Sequence, residues 1–274
     1  MNVSPVSVQS LFISMRFNGT VLATGTAFIV IGSSGPLLVT NWHNVSGRDP
    51  DTGKVLDDKT GGVPNEIVIR HLAGNAPITW IDKVEALYNE NGEQLWVEHP
   101  LLGQRADLVV LPLRDVAGVT LLPYDLIDPP NGMELGPADS VSVVGFPFGL
   151  SRERPFAIWV TGSVASEPQD DFGNLSRILI DCRTRKGQSG SPVIQYRPKG
   201  PCSLKTGALT FLDNPLVSLV GVYSGRVNLE SDLGFVWKTS LLRELVDSLG
   251  PYAGKLQMTV PMSQSTIGLM NAPA

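Results

Sequence analysis

Short runs of β-branched and apolar residues, each cut off by Gly, Pro, Asn or Asp, recur along this chain, and that rhythm leaves little choice of architecture. The clearest are residues 10–17, 20–32, 36–42, 66–72 and 107–113, followed by 140–146, 156–166, 177–182, 191–196, 215–225 and 233–238. Several alternate with period two, as half-buried strands do, and others are apolar throughout. The 274 residues include 28 Gly and 21 Pro but are only 17% charged, which supplies the corners such strands need and argues against a coiled coil or helical bundle. One stretch reads as a helix. In 239–250, Leu241, Leu242, Leu245, Val246 and Leu249 fall at helical spacing, Thr239 or Ser240 can cap the start, and Gly250-Pro251 stops it. The pattern therefore predicts an all-β protein with a closing helix. Its strands divide into two sets near the Pro-, Gly- and acid-rich segment 123–139, giving units over 1–125 and 126–250 and a loose tail over 251–274. Residues 47–64 and 197–214 read as long loops.

Composition removes several classes of function. The net charge of −5 gives no general attraction to nucleic acid or to anionic lipid. No apolar run reaches the roughly 18 residues of a membrane-spanning helix. The first residues lack the basic and apolar regions of a secretory signal, so the expectation is a cytoplasmic protein. The two cysteines, Cys182 and Cys202, allow one bridge and no thiolate zinc site. His71 and His99 have no partners at ligand spacing and read as structural, so neither a metal nor a cofactor is expected.

Three segments carry chemistry together. In Gly187-Gln188-Ser189-Gly190-Ser191-Pro192 the glycines permit a turn that exposes a serine hydroxyl, with the Gly187 and Ser189 N–H groups as donors to an oxyanion. An apolar strand runs directly into His43 through Leu38-Val39-Thr40-Asn41-Trp42. Asp107 opens the buried run Leu108-Val109-Val110-Leu111, a costly place for an acid unless it is paired. Taken singly, the first reads equally well as a Gly/Ser turn, a lone histidine at a strand end is more often structural, and a turn or strand-capping aspartate is common. In order they spell His43, Asp107, Ser189, the order of one class of serine triad. Other orders fail on the residues present. No histidine follows Ser189 or Cys182, no acid precedes His43, and no H-E-x-x-H occurs.

The chain resembles a trypsin-like serine protease of the chymotrypsin fold, and the HtrA type in particular. The resemblance spans about residues 20–250. It rests on Gly25-Thr26-Ala27-Phe28-Ile29-Val30, the two strands bearing His43 and Asp107, and the turn Gly145-Phe146-Pro147-Phe148-Gly149-Leu150. It rests also on Asp181 through Pro192, the late strands at 219–222 and 234–236, and the helix at 239–249. It implies two six-stranded antiparallel β-barrels with the site between them. It also implies a serine endopeptidase with His43 as base, Asp107 as its orienting acid and Ser189 as nucleophile, acting on polypeptides through an acyl-enzyme. By the same resemblance Arg183, Thr184, Tyr223, Ser224 and Gly225 belong to the substrate pocket. Arg183 stands where a trypsin-like preference for Lys or Arg would need an acid, so a small or apolar residue before the cut is expected.

There are departures from the family pattern. Trp42 stands where the family usually carries a smaller or polar residue, Ser191 replaces a glycine, and no PDZ domain is expected after the helix. Gln188 replaces an acid that would pair with a new N-terminus, so the loop 183–188 needs another ordering device. The alternative reading is a catalytically idle trypsin-like binding module, or a protease subunit held inactive until a partner activates it. The long loops and the tail leave room for a regulatory protein partner or an oligomer.

Overall fold

The computed structural model describes residues 3–33, 35–74, 78–150, 156–228 and 230–250. The expected tail over 251–274 lies outside the described residues. Seven strands form the first sheet: β1 (Leu11–Phe17), β2 (Thr20–Gly32), β3 (Gly35–Thr40), β4 (Glu66–Leu72), β5 (Trp80–Ala86), β6 (Val97–Glu98) and β7 (Val109–Pro112). They pair in the order β5-β4-β1-β2-β3-β7-β6, all antiparallel. The second unit is a closed barrel of six strands in the order β10-β15-β14-β11-β8-β9. These are β8 (Ser140–Gly145), β9 (Ile158–Val164), β10 (Arg177–Asp181), β11 (Pro192–Arg197), β14 (Leu216–Arg226) and β15 (Leu233–Lys238). The all-β architecture with a closing helix is thus observed. Of the two six-stranded barrels expected, the second is closed, whereas the first unit is a seven-stranded sheet whose end strands β5 and β6 do not pair, the two-residue β6 adding to β7 at its edge.

Local chemistry explains the elements. Strand β2 reaches its full predicted span of 20–32 because its last half, from Gly25 through Val30, is buried on both faces once the second barrel packs on it. The segment 197–214, expected as a loop, instead folds back on itself as β12 (Gly200–Ser203) and β13 (Leu209–Leu212), paired antiparallel. Two short helices escaped the pattern: α1 (Val6–Gln9) and α2 (Trp42–Ser46), each too brief to show periodicity. The closing helix α3 (Thr239–Asp247) lies where its apolar spacing places it, with Leu241, Leu242, Leu245 and Val246 buried. Both cysteines are free and buried.

Three apolar clusters form the core. One fills the first sheet, with Ile13, Ile29, Leu38, Ile67, Ile69 and Leu111. Another fills the second barrel, with Val143, Ile180, Val193, Tyr223 and Val236. The largest joins the two. In it Phe28, Leu37, Leu108 and Val110 of the first unit meet Phe146, Ile194, Leu219 and Trp237 of the second, and α3 closes over them with Leu242 and Leu245. A shared core of this kind fixes the relative position of the two units to within side-chain packing tolerance. The expected consequence is one cooperative unfolding transition. Leu242→Ala, at a fully buried position, should lower stability by about 2–5 kcal/mol. The tryptophan-fluorescence and far-UV circular-dichroism transitions should still coincide. Two separated transitions would show that the units unfold independently.

Candidate active site

The junction between the units holds the chemistry-bearing residues. The chain leaves β3 at Thr40, and Trp42 begins α2, so His43 sits in the first turn of a short helix. The Trp42 indole N–H donates to Glu98 Oε1 at 2.8 Å, and the same oxygen accepts from Trp96 Nε1 at 3.2 Å. That acceptor accounts for a large residue at position 42: its polar edge is satisfied and its ring is 6% exposed.

Asp107 follows a 3₁₀ turn (Gln104–Ala106) and precedes β7, and it is 4% exposed. Its carboxylate is surrounded by donors. His43 Nδ1 lies 2.9 Å from Oδ2 and 3.0 Å from Oδ1. The His43 backbone N–H donates to Oδ1 at 3.0 Å, and the Ser224 hydroxyl donates to Oδ2. The Asp107 carbonyl accepts from Asn41 Nδ2 at 2.7 Å. These donors satisfy carboxylate oxygens that would otherwise be buried at the full cost of desolvation. Two opposed effects act on His43. Burial works to lower its pKa, but the charge of Asp107, their hydrogen bond and a smaller contribution from Asp49 outweigh it, and the pKa stands above the ordinary 6.5.

Ser189 occupies the turn between β10 and β11. Its hydroxyl donates to the Ser224 carbonyl at 3.2 Å rather than to His43. Its own carbonyl is held by the Thr26 N–H at 3.0 Å and by Asn44 Nδ2 at 3.2 Å. The turn needs glycine on both sides. Gly187 has φ +93° and a Cβ there would lie 2.4 Å from the Phe146 carbonyl oxygen. Gly190 has φ +83° and a Cβ there would lie 2.1 Å from the Thr26 carbonyl oxygen. Ser191 fits in place of a glycine because Gly145 opposite it has no side chain, and a Cβ at Gly145 would collide with Ser191 Oγ.

The peptide planes of this turn are clamped through their carbonyls. Lys186 C=O accepts from the Phe148 N–H at 2.6 Å, and Gln188 C=O accepts from the Ser191 N–H at 2.9 Å. In a planar trans peptide the following N–H points the opposite way. The N–H groups of Gly187 and Ser189 are therefore both aimed away from these clamps. Neither has an acceptor among the described residues. Gln188 supplies the ordering device that the sequence left open. It is fully buried, and its Oε1 accepts from the Arg185 N–H at 2.8 Å, closing the loop on itself.

The structure thus brings together His43, Asp107, Gly187, Ser189 and Ser224. Thr184 and Tyr223 lie beside them, both buried and hydrogen-bonded to each other through their hydroxyls. Arg183 does not join the group: its side chain is 82% exposed and pairs with Asp232 at 3.5 Å. His71 and His99 also stand apart. His71 is buried in β4 with its pKa pushed down, chiefly by burial, to about 4, and His99 Nε2 pairs with Glu244 at 3.3 Å. Among the described residues no three His, Cys, Asp or Glu side chains gather as metal ligands, and no helix is long and apolar enough to cross a membrane.

The sequence pattern of the trypsin-like peptidase domain matches residues 25–199, more than half of the chain. The chain belongs to the trypsin-like peptidase family. No curated protein matches it in sequence. Among solved structures it is similar to a serine endoprotease from Yersinia pestis, at 15% identity and a TM-score of 0.49, over 91% of this chain and 67% of that one. It is also similar to the active form of the Rv3671c protease from M. tuberculosis, at 16% identity and a TM-score of 0.47, over 90% of this chain and 82% of that one.

Thr26 and Asn44 were not singled out as site residues from the sequence. Thr26 lies inside the family-like segment Gly25–Val30, but nothing local marks its hydroxyl as important. In the fold that hydroxyl donates to Gly187 C=O at 2.8 Å and accepts from the Phe146 N–H at 3.1 Å, fully buried. Thr26→Val keeps the shape and leaves two buried backbone groups unpaired, so it should cost about 1–3 kcal/mol of stability. Peptidase turnover should fall about tenfold or more with KM little changed, and Thr26→Ser should restore most of both. Equal turnover by Thr26→Val and the parent would show that this hydroxyl has no part in shaping the site.

Proposed function

We propose that the chain is a serine endopeptidase in which Ser189 is the nucleophile, His43 the general base and Asp107 its orienting acid. The observation that carries this reading is the double contact of His43 Nδ1 with the buried Asp107 carboxylate, with Ser189 beside them on a turn of clamped peptides. Asp107 holds the proton on Nδ1, which leaves Nε2 with a lone pair. Attack begins when rotation about the Ser189 χ1 bond turns the hydroxyl from the Ser224 carbonyl toward Nε2. His43 takes the proton as Oγ bonds to the scissile carbonyl carbon. The Gly187 and Ser189 N–H groups receive the oxyanion, and a polar site already oriented stabilises that charge without reorganising. His43 then protonates the departing amine, and water repeats the sequence to release the acyl group. The contact of His43 with the buried Asp107 beside Ser189 supports this reading over a catalytically idle binding module.

Substrate preference follows from what fills the space beneath Ser189. The acyl side of an extended polypeptide would lie along Ser224-Gly225, where Gly225 leaves the wall open. In this reading Thr184 and Tyr223, buried and bonded to each other, would close the floor, and a Cβ on Gly234 would lie 2.6 Å from the Tyr223 ring. This favours a small residue, such as alanine, before the cut. Peptides with alanine there should be cleaved at least about tenfold faster, as kcat/KM, than matched peptides with phenylalanine or arginine. Preference for either large residue would overturn the floor assigned to Tyr223.

The central assignment is tested by kinetics on the folded chain. Ser189→Ala should lose several decades of kcat, with full activity in that variant contradicting the mechanism. Because neutral His43 is the active form and its pKa is raised, kcat/KM should climb with pH through an inflection above 6.5. Asp107→Asn removes the two largest raising effects, so the residual activity should show its inflection at lower pH. An unmoved inflection would show that Asp107 does not act on the base.

A further inference from the structure

Trp42, one of the departures from the family pattern, has a task in this fold. It opens α2, and a helix of five residues is too short to hold itself together in water. His43 therefore stands where the anchors of α2 put it. Three consecutive residues supply those anchors, and all three reach one stretch of the first unit. Asn41 Nδ2 donates to Asp107 C=O at 2.7 Å, and the His43 N–H donates to Asp107 Oδ1 at 3.0 Å. Between them, Trp42 Nε1 donates to Glu98 Oε1 at 2.8 Å.

Glu98 is placed by the backbone. It lies on β6 opposite Val109 of β7, two residues beyond Asp107. Its Oε1 also accepts from Trp96 Nε1 at 3.2 Å and from Gln94 Nε2 at 3.3 Å. Trp96 is buried and set edge-on to Tyr88, with ring centroids 5.3 Å apart. One carboxylate oxygen thus gathers two buried indoles and an amide, and hydrogen bonds to an ionised acceptor are the strong kind.

We infer that Glu98 is a positioning residue for His43: it grips the Trp42 indole and so fixes the turn of α2 that carries the imidazole. The inference rests on the Ser189 mechanism above. The side-chain bonds from Asp107 to His43 converge on one carboxylate, which leaves a point about which the turn could swing. A second grip on the adjacent residue, from a different strand, stops that swing and fixes Nε2 relative to Ser189. A small misplacement of a catalytic group costs rate without weakening substrate binding. The effects acting on the His43 pKa are burial, Asp107 and Asp49, so Glu98 works through placement and not through the charge of the base.

Peptidase kinetics on four folded variants test this, with folding checked by far-UV circular dichroism. Glu98→Leu keeps the bulk and removes the acceptor. It should lower kcat about tenfold to a hundredfold, with KM within about twofold and the pH inflection unmoved. Glu98→Gln keeps an accepting Oε1 and should return kcat to within about threefold of the parent. Trp42→Phe removes the donor, should match Glu98→Leu, and stands in for it if that variant does not fold. The double variant should be no more than about twofold worse than the poorer single one, as expected of two ends of one interaction. Parental kcat in Glu98→Leu or Trp42→Phe overturns the inference while the Ser189 mechanism stands. So does a loss that Glu98→Gln shares in full, a moved pH inflection, or losses that multiply in the double variant. If the parent chain cleaves no peptide and a fluorophosphonate fails to label Ser189, the mechanism itself fails, and the role of Glu98 falls with it.

Discussion

The N–H and hydroxyl of Thr26 join the two halves of this protein, and its carbonyl anchors it within the first sheet. Its N–H holds the Ser189 carbonyl, its hydroxyl bridges Gly187 C=O and the Phe146 N–H, and its carbonyl accepts from Thr40 Oγ1 at 2.9 Å. Thr40 in turn accepts from Asn44, which also reaches Ser189. The nucleophile turn is thus suspended from the first sheet, while its flanking strands belong to the second barrel. The shared apolar core sets the distance between the units, and these buried hydrogen bonds set the angle of the turn. Buried networks that are fully satisfied are rigid, and a broken one leaves groups with nowhere else to bond.

Asp107 plays the corresponding part on the other side of the cleft. Its carboxylate holds His43 by ring and backbone at once, so the imidazole orientation follows from the fold of the 41–43 segment. Ser224 links this pair to the nucleophile. Its hydroxyl serves Asp107 and its carbonyl receives Ser189 Oγ. One residue of β14 therefore touches both Asp107 and Ser189. Thr26 and Ser224 come from different units, and together they leave the turn little freedom.

Much of this was legible from the chain alone, for physical reasons. The half of strand β2 from Gly25 to Val30 was readable because burial on both faces makes a continuous apolar run. The helix α3 was readable because it buries one stripe. The order of His43, Asp107 and Ser189 narrowed the chemistry because only three histidines exist to choose among. The hairpin 200–212 was not readable. Its residues are mostly exposed, so no burial pattern marks its strands. The helix holding His43 is five residues long and shows no period. Thr26 was invisible because its partners Phe146 and Gly187 lie 120 and 161 residues away in sequence. The exposed course of Arg183 was equally hidden, since Asp232 draws it off across the fold.

The central claim is that Ser189, held on a prearranged turn beside His43, is an activated nucleophile in the folded chain as it stands. Covalent labelling with a fluorophosphonate, followed by peptide mapping by mass spectrometry, tests this most directly. One label per chain on Ser189, absent from Ser189→Ala and absent after unfolding, is the predicted result. A folded chain that takes up no label, or one whose labelling survives Ser189→Ala unchanged, would contradict it.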